Sequence, residues 1–131
     1  MPDKHVYEYS VIRIVPLVER GECLNVGVIL YCRGKRFLDI RLQLDRERLL
    51  AFLPSGKKDI DLDEIESYLK VWQLISAGDP AGGPIASQDA AGRFRWLTAP
   101  RSTIIQPSPL HPGLCSDPKE ALDRMFQKYV L

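Results

Sequence analysis

The segment Asn25 to Cys32, NVGVILYC, is a nearly continuous apolar run of strand length. A strand with one wet face alternates apolar and polar residues, whereas a run apolar at successive positions buries both faces. The segment therefore predicts a central strand in a sheet covered on both sides, and the rest of the chain has to supply those covers. Gly27, inside the run, weakens a strand and marks a bulge or a close backbone approach. Asn25, at the strand entrance near Glu22, fits a turn-capping amide, with a catalytic role for that amide as the alternative.

The flanking segments extend this sheet. Val6 to Val15 is rich in β-branched and aromatic residues and ends at Pro16, and Phe37 to Leu42 alternates with Leu38, Ile40 and Leu42 on one face. The turn through Arg33, Gly34 and Lys35 joins the latter to the apolar run as a hairpin. Asp45 predicts the cap of a short helix ending before Pro54. Asp61, with Glu64 three residues on, predicts a capping box that opens a longer helix carrying Leu62, Ile65, Leu69 and Trp72, joined by Tyr68 and Ile75. Gly78 to Pro84 reads as a loop. RFRWL, with Phe94 and Trp96 alternating with Arg93 and Arg95, reads as a strand, and Thr103 to Gln106 as another short one. Pro107 to Pro118 reads as an irregular surface loop, after which Asp117, Pro118 and Glu120 launch a last helix. The fold class is α+β, a single domain over residues 1–131: an antiparallel or mixed sheet of about five strands with about three helices on it.

Composition narrows function more than it assigns it. Eighteen Lys plus Arg against 17 Asp plus Glu leave a net charge of +1, so no global charge argues for nucleic acid or membrane binding. No apolar run approaches the length of a membrane helix, and the first residues lack the basic start and apolar core of a signal peptide, so a cytoplasmic protein is expected. Three scattered cysteines, Cys23, Cys32 and Cys115, suggest neither a disulfide framework nor zinc. Two histidines exclude a multi-histidine metal site, and nothing calls for a cofactor.

Neutrality is an average, because Ala90 to Ser116 holds three arginines, Arg93, Arg95 and Arg101, and no acid. With Ser102, Thr103, Gln106, Ser108 and His111 in the same stretch, it has the composition of a loop for phosphate or carboxylate, which guanidinium grips as a planar fork. The plainer alternative is a solvated strand face plus an internal ion pair. Arg13 and Arg41, with Tyr7 and Tyr9, fall on one sheet face by alternation. Shared with Arg93 and Arg95, that face would suit a single-stranded nucleic acid, or be an ordinary wet surface. Cys115, with His111 and Asp117 nearby in sequence, is a nucleophile candidate or a loop cysteine.

YEYSVIRIVP, ECLNVGVILYC, FLDIRL and the block RFRWLTAPRSTIIQPSPLHPGLCSDP leading into LDRMF together resemble a bacterial family catalogued as domain of unknown function 3037. The resemblance runs over nearly the whole chain, most specifically in NVGV and WLTAPRST. It implies a small stand-alone cytoplasmic protein, often encoded beside a HipA-like kinase-fold protein in a two-gene module of toxin–antitoxin type. It implies no activity.

Three functional classes stay open. The first is a non-enzymatic accessory module that recognises an anionic group or a protein partner, HipA-like by resemblance, through Arg95 to His111. The second is an enzyme acting on phosphoesters or nucleic acid, with His111 as acid/base, Arg95 and Arg101 as anion clamps, and Glu22 or Asp117 orienting. The third is a structural subunit of an oligomer.

Overall fold

The apolar run is indeed an inner strand. The computed structural model describes residues 4–16, 22–53, 60–101 and 103–131. In chain order it holds β1 (His5–Ile14), β2 (Leu24–Cys32), β3 (Phe37–Leu42), α1 (Arg46–Phe52), α2 (Leu62–Ala77), α3 (Ala90–Thr98), β4 (Ile105–Pro107), β5 (His111–Cys115) and α4 (Pro118–Tyr129). The five strands make one antiparallel sheet, β3-β2-β1, with the far edge of β1 shared end to end: β5 pairs with residues 5–9 and β4 with residues 12–14. The gap between β5 and β4 falls opposite Ser10 and Val11, and Ser108 closes it. Its hydroxyl accepts the Val11 N–H at 2.8 Å, its own N–H donates to the Val11 carbonyl at 2.8 Å, and Ser10 Oγ donates to the Ser108 carbonyl at 2.8 Å. A side chain thus replaces a missing ladder residue where an orphaned N–H would be costly.

Both sheet faces are covered. On one, Ile12, Ile14, Val26, Ile29 and Ile40 pack with Leu49 of α1, Ile65, Leu69 and Trp72 of α2, and Phe94 and Leu97 of α3. On the other, Tyr7, Val28, Leu30 and Cys32 pack under α4 through Leu122, Met125 and Phe126. Strand β2 serves both clusters by alternation, and a bulge shifts which of its residues face which. Ile12 pairs with Gly27 but Arg13 pairs with Asn25, so Val26 is the extra residue and the alternation flips after it. Gly27 is needed at that point, since a Cβ there would stand 2.6 Å from the Arg41 carbonyl oxygen and inside the Leu42 side chain.

Each α-helix among the described residues starts on an aspartate. Asp45 accepts from the Arg48 N–H, Asp61 from Asp63 and Glu64, Asp89 from Gly92, and Asp117 from Lys119 and Glu120. The Asp61 cap forms as predicted, but Glu64 does not reach back to complete a box; it accepts the Tyr68 hydroxyl at 2.6 Å instead.

Two readings need correction. RFRWL lies inside helix α3, because Asp89 caps it and Phe94 and Leu97 bury one turn apart. On a helix Phe94 and Trp96 diverge by about 200°, so Phe94 is buried and Trp96 is exposed. The segment Pro107 to Pro118 is not wholly irregular: it contains β5, an edge strand, where a proline is tolerated at Pro112. Gly78 to Pro84 connects α2 onward, with Gly78 as the left-handed cap of α2 (φ 71°) and Asp79 capping a 3-10 turn, Pro80–Gly82. No helix is long and apolar enough to cross a membrane among the described residues.

Candidate functional site

Arg101, just after α3, marks the more apolar of two large cavities. Its guanidinium lies 5.1 Å from the Trp72 ring centre and 4.8 Å from that of Trp96. Its Nε donates to the Ala99 carbonyl at 3.2 Å and an Nη to the Trp96 carbonyl. Burial lowers its pKa below the usual arginine range, and among the described residues no carboxylate pairs with it. This partly desolvated cation opens on a groove of about 850 Å³ between α2, α3 and the approach to β4. Its rim carries Tyr68, Val71 and Trp96, which are 47, 40 and 40% exposed. Helix α2 supplies two of them: its buried stripe runs through Ile65, Leu69 and Trp72, and Tyr68 and Val71 widen the apolar surface beyond what the sheet covers, while Trp96 comes from α3.

Arg95 sits elsewhere. It lies 3.6 Å from Glu8 and lines a second cavity, of about 800 Å³, with Val6, Tyr31, Arg33, Arg36 and the start of α3. Val6 and its cross-strand partner Leu114 are 64 and 63% exposed, so this corner of the sheet has no helix over it.

The tyrosine face carries α4. Tyr7, Tyr9, Arg13 and Arg41 do share a face, as alternation predicts, but Arg93 and Arg95 belong to α3 on the opposite side. Arg41 stacks 4.4 Å over the Phe126 ring and pairs with Asp123 at 2.7 Å. Register places Arg13 beside Asn25 and Gln106, and its buried Nε has no hydrogen-bond partner among the described residues. The Asn25 amide donates to the Tyr129 carbonyl at 3.1 Å, which closes the C-terminal end of α4, and the residue also lines a small cavity of about 250 Å³ with Arg48 and Val130. Tyr9 lies 5.4 Å, ring to ring, from His111 and shares a hydrogen bond of 3.2 Å with the Tyr129 hydroxyl. That bond, and then burial, pushes Tyr9 up to about 12.

His111 lines neither large cavity, and its partner Tyr9 faces α4 while Arg95 and Arg101 lie on the α2–α3 side. The three residues are therefore spread over three places. Cys115 stands four residues along β5 from His111, roughly 13 Å at strand spacing; burial pushes its thiol up, and Asp117 is committed to the α4 cap. These groups do not form a nucleophile, base and orienter. Glu22 is exposed just before β2, and Ser102 lies outside the described residues. Among the described residues no group of three or more His, Cys, Asp or Glu side chains could hold a metal ion.

Sequence reasoning missed the groove rim and the arginines of the β2–β3 turn. The signals were present: an α2 apolar stripe too wide for one contact, and RGKR, three cations in four residues without an acid.

No curated protein and no solved structure matches the chain. A family model described as a protein of unknown function (DUF3037) matches residues 9–130, which span both sheet faces, the groove and all four of these helices. The chain accordingly belongs to the DUF3037 family.

Proposed function

We propose that this protein is a non-enzymatic interaction module whose α2–α3 groove receives a segment of a protein partner. Apolar side chains of that segment pack on Tyr68, Val71 and Trp96, and a carboxylate meets Arg101. The observation that carries the reading is Arg101 itself: a partly buried guanidinium, fixed between two indoles, with no carboxylate among the described residues to neutralise it. Two of its donors are bound to carbonyls; the positive charge remains for an incoming anion, and a charge-assisted bond made at the edge of an apolar groove is stronger than one in open water. Exposed aromatics flanking an arginine are also the residue types that dominate binding energy at interfaces. The HipA-like protein implied by the family resemblance is the first partner to test.

The experiment is co-purification of the tagged protein with that partner, in wild type and in the variants Val71→Asp and Arg101→Gln, with Lys119→Gln on α4 as a control. Retention by wild type and control, with loss in both groove variants, is the expected result. Retention by Val71→Asp and Arg101→Gln at wild-type level would overturn the reading.

A further inference from the structure

The second cavity has a different chemistry from the groove. The β2–β3 turn places Arg33, Lys35 and Arg36 in four consecutive residues with Gly34, and Arg36 holds the left-handed backbone that closes the turn (φ 53°). Arg33 and Arg36 line the cavity together with Arg95. Among the described residues neither has a carboxylate partner. The two acids at the cavity are already engaged: Glu8 lies 3.6 Å from Arg95, and Asp89 accepts the Gly92 N–H at 2.8 Å. The floor is apolar and aromatic, made by the uncovered Val6 and by Tyr31, whose ring leans on Phe94 with 5.3 Å between centres.

Surface arginines without partners contribute little to folding, yet two unpaired guanidinium forks and a third loosely paired one are suited to an oxyanion with three or more oxygens. A volume of about 800 Å³ falls in the range that encloses a small molecule. We propose that this corner is a binding site for a nucleoside phosphate, with its phosphates on Arg33, Arg36 and Arg95 and its planar base against Tyr31 and Val6. The site is independent of the α2–α3 groove, and neither proposal depends on the other.

Backbone amide NMR titration of the intact protein with ADP tests it, alongside inorganic pyrophosphate and a short single-stranded RNA. The expected result is saturable movement of the resonances of Val6, Tyr31, Arg33, Arg36 and Arg95. The double variant Arg33→Gln/Arg36→Gln should weaken ADP by about tenfold or more while keeping its amide spectrum folded, and Lys119→Gln on α4 should leave ADP affinity unchanged. The proposal is overturned if ADP gives no saturable shifts at millimolar concentration or if the double variant binds it as wild type does. It is equally overturned if pyrophosphate binds as tightly as ADP, which would leave a bare charge patch, or if the RNA binds more tightly than ADP, which would assign the corner to nucleic acid.

Discussion

Single residues in this protein act chiefly by what they allow to come close. Gly27 lets the β3 backbone approach the bulge, so Gly27→Ala should cost roughly 1 to 3 kcal/mol through overpacking, read as a lowered denaturant midpoint at an unchanged slope. Gly113 does the same for the Tyr7 ring, which lies against it across the β1–β5 pair. The sequence signalled the first of these, because a glycine inside an apolar run weakens the strand and so marks a bulge or a close backbone approach. It could not signal the second, since Gly113 sits among prolines that read as loop. Tyr9 carries a pH effect. Its folded pKa is about 12 against an unfolded value of about 10. The folded state therefore holds the proton longer, and this contribution to stability is full below pH 10 and is lost as pH rises toward 12. Tyr9→Phe should show a shallower loss of stability across that interval, and a Tyr9→Phe curve parallel to wild type would reject the assignment. Arg101 also has a structural share: Arg101→Gln removes two stacking contacts and should lower the melting temperature, by the equivalent of about 1 kcal/mol.

At the scale of elements, aspartate caps explain where helices begin better than apolar periodicity does. Asp45, Asp61 and Asp117 were legible because an apolar helical repeat or a proline followed each of them. Asp89 was not, because Arg93, Phe94, Arg95 and Trp96 alternate by chance and a nine-residue helix shows only one full i, i+3 pair, Phe94 with Leu97. The cap and the paired burial outweigh the alternation, which needs a sheet neighbour that is absent there. Asp89→Ala should cost about 1 kcal/mol and raise amide exchange first in α3, while exchange in β2 stays slow. If β2 and α3 exchanged at one common rate, α3 would be an inseparable part of the core rather than an element held by its cap. The strand β5 escaped notice for the opposite reason. Its pairing with β1 is long-range, and nothing local in HPGLC favours extension except the prolines that made it read as loop.

For the whole molecule, the NVGVILYC run led correctly to a covered sheet, and the covers divide the candidate surfaces among them. Helices α1 to α3 cover one face of the sheet and α4 covers the other, so the tyrosines that would form an open platform are packed beneath α4, and Arg41 is engaged at its exposed flank by Phe126 and Asp123. Arg95, Arg101 and His111, neighbours in sequence, were dispersed by the turn out of α3 and the crossing to β4 and β5. That separation depends on three-dimensional pairing, and no local pattern encodes it. The net charge of +1 then resolves into two local cationic positions, one isolated between indoles and one grouped at the β2–β3 turn. The central claim is that the α2–α3 groove is the partner surface. Hydrogen exchange of the protein with and without the purified HipA-like candidate partner tests it most directly. The account predicts new protection concentrated in the exposed side of α2 from Tyr68 to Trp72 and in the last turn of α3. Protection falling instead on α4 or β5, with α2 unchanged, would contradict it.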